Sequence, residues 1–234
     1  MSDRGVCVVT GVGPGTGAAV VRRFAAGGYR VAMLARSADA LARLATEIDG
    51  ATAYPTDVTD PDAVADTITR VGRELGAPAV LVHNAGNAVF GGVMDVSPEA
   101  MESAWRVNTF GLYLCTRAVV PAMRAAGRGV ILVTGATAAL RGGAAFAAFA
   151  SAKAAQRILA ESMARQLGPE GIHVAYVVVD GVIDMPTTRA FFADRPDEFF
   201  LAPAAIAETY FHVAHQDRSA WTFQVDLRPF GERW

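Results

Sequence analysis

Residues Gly5–Gly17 read GVCVVTGVGPGTG, a short apolar run rich in β-formers that is broken by glycines at 11, 13, 15 and 17. Such a run is a strand feeding a turn that can hold a phosphate. Glycine reaches backbone conformations closed to other residues and has no Cβ to keep a ligand off the main chain. The helix expected next, over Ala18–Ala26 and stopped by Gly27 and Gly28, directs free N–H groups and the positive end of its dipole at that turn. Glycines alone would be an ordinary tight turn. Strand, glycine turn and helix in this order are the setting in which they signal a dinucleotide.

Outward from the turn, strand and helix patterns alternate. Strands are expected at Arg30–Ala35, Ala51–Pro55, Ala79–His83, Gly129–Thr134 and Ile172–Val179, as near-continuous apolar runs of the kind found in parallel sheets covered on both faces. Between them lie a helix over Ser37–Glu47 with Leu41, Leu44 and Ile48 on one face, and a helix started by the cap Asp60 and Pro61. A long helical stretch from Ser97 to Arg124 is interrupted around Asn108–Gly111, and Ser151–Leu167 forms another helix. A last helix, Ala204–His215, and a last strand, Trp221–Leu227, complete the pattern. No repeat or linker divides it, so one doubly wound α/β Rossmann-type domain with a parallel sheet is expected over residues 1–234.

The whole-chain numbers agree. A chain of 234 residues can bury a large core as one domain. A net charge of -2 argues against nucleic acid or an anionic membrane surface as partner, and no apolar run reaches the roughly 18 residues of a membrane span. The chain enters its first strand directly, which leaves no room for a signal peptide. Cys7 and Cys115 belong to no CxxC and read as buried thiols of a cytoplasmic protein. The histidines His173, His212 and His215 have no partners at metal spacing, so no metal site is expected, and His83 reads as a partly buried residue at a strand end.

The motifs now become specific. TGxxxGxG over Thr10–Gly17, Asp57 and Val58 after the third strand, Asn84, Ala85 and Gly86 after the fourth, and Asn108 in the following helix stand in the order and spacing of the short-chain dehydrogenase/reductase family. The chain resembles that family over nearly its full length. The resemblance implies an NAD(P)H site across the carboxyl ends of the strands. It implies that Gly11, Gly15, Thr16 and Gly17 hold the pyrophosphate, Asp57 and Val58 the adenine, and Asn84, Ala85 and Gly86 the floor beneath the ribose. At the end of the second strand an NAD enzyme wants a carboxylate, and here Ala35 is followed by Arg36. A guanidinium can bind a 2′-phosphate bidentately, against the plainer reading of a solvated arginine, and NADP(H) is the expected cofactor.

At the reacting end the chain departs from the family. Its relatives carry YxxxK in the helix after the fifth strand and a serine thirteen residues before the tyrosine. The tyrosine exchanges the carbonyl proton, the lysine lowers its pKa and binds the ribose, and the serine polarises the carbonyl. Here the segment is Phe149-Ala-Ser-Ala-Lys153, and Ala136 stands at the serine position. Leu140 and Gly142 keep the family register, so no shift restores a hydroxyl. Lys153 and Asn108 remain, as cofactor binding without the usual proton relay requires.

After the sixth strand, Asp180-Gly-Val-Ile-Asp-Met-Pro186 replaces the family's Pro-Gly segment, with Met185 at the position of a threonine that contacts the nicotinamide amide. Thr187 or Thr188 is a substitute for that contact. Gly181 and Ile183 are expected to line the cofactor. Asp180 has two readings, a carboxylate beside the nicotinamide that favours positive charge or a cap on an Asp-Gly turn. The aromatic stretch Phe191–Pro203 falls at the family's substrate lid; it reads as that lid or as an oligomer contact, its four phenylalanines giving an unusually apolar surface. The tail Asp226-Leu-Arg-Pro229 lacks the usual Gly-Gly.

Two function classes follow. The first is an NADP(H)-dependent oxidoreductase acting on a small molecule as a homo-oligomer, a dimer or tetramer. With Lys153, Asn108 and Asp180 at its reacting centre, it reduces an imine, iminium or activated alkene rather than a simple ketone. Its proton comes from water, Asp180 or Thr137 where one is needed. The second is a noncatalytic NADP(H)-binding sensor or structural partner. Lys153 and Asn108 favour the enzyme, because an adenine-nucleotide binder needs neither.

Overall fold

A computed structural model describes residues 4–231. The expectation about the chain's start concerns residues 1–3, which lie outside the described residues. Seven strands form one parallel sheet in the order β3-β2-β1-β4-β5-β6-β9. They are β1 (Val6–Thr10), β2 (Arg30–Ala35), β3 (Ala51–Pro55), β4 (Pro78–His83), β5 (Gly129–Ala136), β6 (Ile172–Val179) and β9 (Gln224–Leu227). Strand order reverses beside β1, and there the carboxyl ends of β1 and β4 open a crevice.

Helices cover both faces. α1 (Thr16–Ala26), α2 (Ala38–Glu47) and α8 (Pro203–Ala214) close one; α3 (Pro61–Glu74), α5 (Gly111–Ala126) and α6 (Ala147–Leu167) close the other. Because successive side chains of a strand point to opposite faces, Val6 and Val8 enter one core while Cys7 and Val9 enter the second. Every residue of β1 and β6 is buried, which is why both read as unbroken apolar runs. Burial pushes the Cys115 thiol up to about 12 and the Cys7 thiol well above its usual value. Ser37 and Asp60 cap α2 and α3 by accepting backbone N–H groups, and Gly127 ends α5 in the left-handed conformation.

The interruption in the long helical stretch is a single π-helical turn, Arg106–Phe110, between α4 (Pro98–Trp105) and α5. It lodges buried Asn108 at the crevice. Three expectations are corrected. The fifth strand runs two residues beyond Thr134 because parallel pairing with β6 continues to Ala136. α6 begins at Ala147, so Phe149 and Lys153 share its first turns. His83 is fully buried, packed between β1 and the π-turn.

The segment after β6 forms β7 (Val182–Ile183), α7 (Pro186–Phe191) and β8 (Phe200–Leu201), with β7 paired to β8. Arg189 clamps it through a bidentate pair with Asp184 and a contact to Asp197. The phenylalanines expected to make an apolar surface instead pack on one another, Phe191 to Phe192, Phe192 to Phe199 and Phe199 to Phe200. Phe200 is buried and only Phe191 is strongly exposed. No helix among the described residues is long and apolar enough to cross a membrane.

Candidate active site

The glycine turn between β1 and α1 is shaped by the neighbouring strand. Gly11 has φ +66, and a Cβ there would stand 2.4 Å from the Ala85 main chain. Only glycine permits that conformation and that approach. The approach is held by Asn84, whose Nδ2 donates to the Gly11 carbonyl at 2.9 Å, while the Ala85 N–H donates to Thr10 Oγ1. A Cβ on Gly17 would meet the Gly11 carbonyl at 2.7 Å. No side chain caps the start of α1, and the buried hydroxyl of Thr16 has no partner. Free helix N–H groups and an orphaned hydroxyl in a glycine-lined turn fit the pyrophosphate of a dinucleotide.

Arg36 lies exposed just beyond β2. It is one of the cations that hold the Asp57 carboxyl below its usual value; the larger cause is the Thr59 N–H, which donates to Asp57 Oδ1 at 2.9 Å. Val58 is buried against Gly111, at the start of α5. Arg36 and Asp57 thus share one end of the crevice.

At the other end, Asn108 and Lys153 meet beside Gly86. A Cβ on Gly86 would stand 3.3 Å from Asn108 Oδ1 and 3.9 Å from Lys153 Nζ. Asn108 donates from Nδ2 to the carbonyls of Asn87 and Ala104, and its buried Oδ1 has no partner. Lys153 Nζ donates to the Thr134 carbonyl at 2.8 Å and to Gln156 Oε1 at 3.1 Å. Burial lowers the Lys153 pKa to about 7. Burial first and the Lys153 charge second lower His83 to about 3, so its ring is neutral.

Phe149 stands one helical turn before Lys153, half-buried, with its ring 5.6 Å from Phe90 and 6.5 Å from Phe146. Phe90 and Phe146 are themselves 60% and 38% exposed, and the three rings form an aromatic wall one turn before Lys153. Ala136, at the end of β5, offers no hydroxyl.

The Asp180 side chain is held by partners from elsewhere in the fold rather than capping its own turn, which corrects the turn-cap reading. Its Oδ2 accepts from Arg228 Nε at 3.1 Å, its Oδ1 accepts from the Thr137 hydroxyl, and its N–H donates to the Leu227 carbonyl. The tail brings Arg228 here, and Pro229 packs where a Cβ of Gly181 would stand. Met185 lies on the glycine turn, its sulfur 2.4 Å from where a Cβ of Gly15 would be, with Ile183 beside it. The Thr188 hydroxyl is used at the start of α7, donating to the Ile183 carbonyl and accepting from the Met185 N–H, whereas Thr187 is exposed. Among the described residues no three His, Cys, Asp or Glu side chains are grouped to hold a metal ion.

Several residues here carry no sequence signal of their own. Tyr210 of α8, fully buried, donates to Thr134 Oγ1, and Thr134 donates to Asn84 Oδ1, linking the far helix to the glycine turn. Gln156 and Arg228 join the site only through the fold. One signal lay in plain sight: of the 21 Lys and Arg residues, Lys153 is the sole lysine.

This crevice, with its glycine turn, its asparagine in a π-turn and its buried lysine, defines an oxidoreductase class that uses a nicotinamide dinucleotide. The short chain dehydrogenase family profile matches residues 5–196, and the chain belongs to that family. It is 34% identical over 197 residues to the short-chain dehydrogenase/reductase eriH of Hericium erinaceus, covering 80% of this chain and 78% of the relative. It is 38% identical over 186 residues to the cyclic-di-GMP-binding biofilm dispersal mediator protein of Escherichia coli, covering 78% and 75%. A metagenomic short-chain oxidoreductase solved in complex with NADP superposes with a TM-score of 0.84 at 31% identity, over 97% of this chain and 98% of the other.

Proposed function

We propose that the protein is an NADP(H)-dependent oxidoreductase that reduces an imine, an iminium or an activated alkene rather than a simple ketone. One observation carries the reading. Asn108 and Lys153 flank Gly86 with a buried, unpartnered Oδ1, while Phe149 and Ala136 supply no hydroxyl at the adjoining positions. When bound, the reduced nicotinamide supplies a hydride. An iminium that accepts it becomes a neutral amine and needs no proton, so a site without a tyrosine acid can serve it. An alkene takes its later proton from water. A neutral ketone loses the roughly 10²- to 10⁴-fold that a positioned acid contributes.

Thr16 and the N–H groups of the glycine turn would hold the pyrophosphate, Lys153 and Asn108 the nicotinamide side, and Arg36 the 2′-phosphate. The Asp180 carboxylate is matched by Arg228, so attraction for a cationic substrate falls instead to the aromatic faces of Phe90, Phe146 and Phe149. Exposed Met101, Trp105, Tyr113 and Ile158 support assembly as a homo-oligomer.

A second reading, a noncatalytic nucleotide-binding protein, is favoured by Met185 lying across Gly15 and by the Escherichia coli relative whose name records binding rather than turnover. NADPH oxidation across a panel of ketones, cyclic iminium compounds and activated alkenes separates the two. Turnover on iminium or alkene but not ketone is expected. Tight NADPH binding with no turnover on any of them would establish the second reading.

A further inference from the structure

Gln156 lies fully buried on α6, one turn beyond Lys153. Its Nε2 donates to the main-chain carbonyl of Asn108 at 2.8 Å, and its Oε1 accepts from Lys153 Nζ at 3.1 Å and from the Tyr176 hydroxyl at 3.3 Å. One side chain therefore satisfies a carbonyl of the π-turn and an ammonium at once. Only an amide does this: a carboxylate has no hydrogen for the carbonyl, an alkyl chain has neither group, and a cation has no acceptor for Nζ. The Thr134 carbonyl is the second acceptor, so two of the three ammonium hydrogens are taken inside the fold. One remains, on a nitrogen 3.9 Å from the position of a Gly86 Cβ.

We propose that Gln156 is a positioning residue, which ties the Lys153 ammonium to the turn that carries Asn108 and leaves one ammonium N–H for the cofactor. The proposal rests on the cofactor reading given above. Without the amide bridge, α6 and the π-turn would still pack, through the Thr109 hydroxyl on the Ala152 carbonyl at 2.9 Å. The lysine head, held by one carbonyl, would be free to turn. An unsatisfied Asn108 carbonyl would be left in a dry interior.

Lys153 is the sole lysine, so uniformly lysine-labelled full-length protein gives one side-chain signal whose titration NMR can follow. The other titratable groups facing Nζ are His83 of β4 and Tyr176 of β6. Burial lowers the first and raises the second, so neither changes charge as the lysine titrates near pH 7. Gln156→Glu sets a carboxylate against Nζ and should move the lysine midpoint up by about one pH unit or more. Gln156→Met, of similar length with no acceptor, should move it down and weaken NADPH binding at pH 6 by roughly tenfold, the loss of one hydrogen bond to a charged group. A residue that merely filled space would lower thermal stability and leave the midpoint in place. Folded Gln156→Glu titrating with the wild-type midpoint would overturn the proposal, even if Gln156→Met failed to fold. Failure of the wild type to bind NADPH would overturn the cofactor reading, while the lysine titration would still decide the role of Gln156.

Discussion

The two ends of the crevice are built from the same sheet and differ in what they keep. At the nucleotide end, Gly11, Thr16, Gly17 and Asn84 form a cradle closed by hydrogen bonds to the Gly11 carbonyl and to Thr10. At the reacting end the frame is equally ordered, with Asn108 in its π-turn and Lys153 between Thr134 and Gln156. Yet Ala136 and Phe149 stand at the positions where the resemblance to the family places the two hydroxyls that handle a carbonyl proton. The glycine-turn cradle and the positions at 136 and 149 thus lie on separate elements of the fold. The backbone geometry that positions a dinucleotide does not depend on the side chains that give or take a proton.

Restoring those hydroxyls is the strongest way to break the comparison. Phe149→Tyr places a phenol one turn before Lys153, whose ammonium stabilises a phenolate, and Ala136→Ser adds a donor at the end of β5. The double variant is expected to raise ketone reduction by NADPH by about 10²-fold or more over wild type. Initial rates on a neutral ketone measure it. A double variant that keeps its thermal stability and NADPH affinity but gains no ketone activity would show that the two ends differ in pocket shape and not only in lost hydroxyls.

A smaller effect sharpens the nucleotide side. Arg36 stands exposed beyond β2 with no carboxylate at the preceding Ala35. Arg36→Ala is expected to weaken NADPH binding by about 10- to 100-fold, the range of one charge-assisted contact to a phosphate, and to leave NADH affinity unchanged. Calorimetric titration of both cofactors is the check. An equal fall for both would assign Arg36 to the general field of the crevice, together with its neighbour Asp57.

How far the two ends could be read from the chain also differs. The glycine turn, the strand order's raw material and the Asn-Ala-Gly floor were legible because each is a local pattern: residues within a few positions act on one turn. The departure from the family spacing at 136 and 149 was legible for the same reason. What surrounds Lys153 was not. Gln156 is an ordinary polar residue on a helix until the π-turn sets the Asn108 carbonyl against it, and Tyr210 reaches Thr134 across 76 positions. Arg228 lies in a tail that departs from the family pattern, and pairing of β9 with β6 carries it to Asp180, 48 positions away. The phenylalanine stretch misled because composition counts rings and cannot see that they pack on each other. Long-range pairings of single polar residues have no period and no motif to announce them.

That same long-range pairing predicts the smallest change of all. Taken alone, a carboxylate at the end of β6 would draw positive charge toward the reacting centre, and its removal would penalise an iminium far more than a neutral alkene. With Arg228 at 3.1 Å and the Thr137 hydroxyl on its second oxygen, Asp180 adds little net field at a distance, since the paired charges cancel beyond their own separation. Asp180→Asn keeps an acceptor for Arg228 or for Thr137, and frees part of the arginine's positive charge. Iminium turnover relative to alkene turnover is therefore expected to fall by no more than about fivefold, with NADPH affinity unchanged, because a half-screened pair near a surface contributes on the order of 1 kcal/mol or less. Competition between the two substrates in one vessel measures the ratio directly. A fall of ten-fold or more in iminium turnover alone would mean that the carboxylate acts on the substrate despite its arginine. In that event the reacting end would be a site with a new charged group in place of the lost hydroxyls.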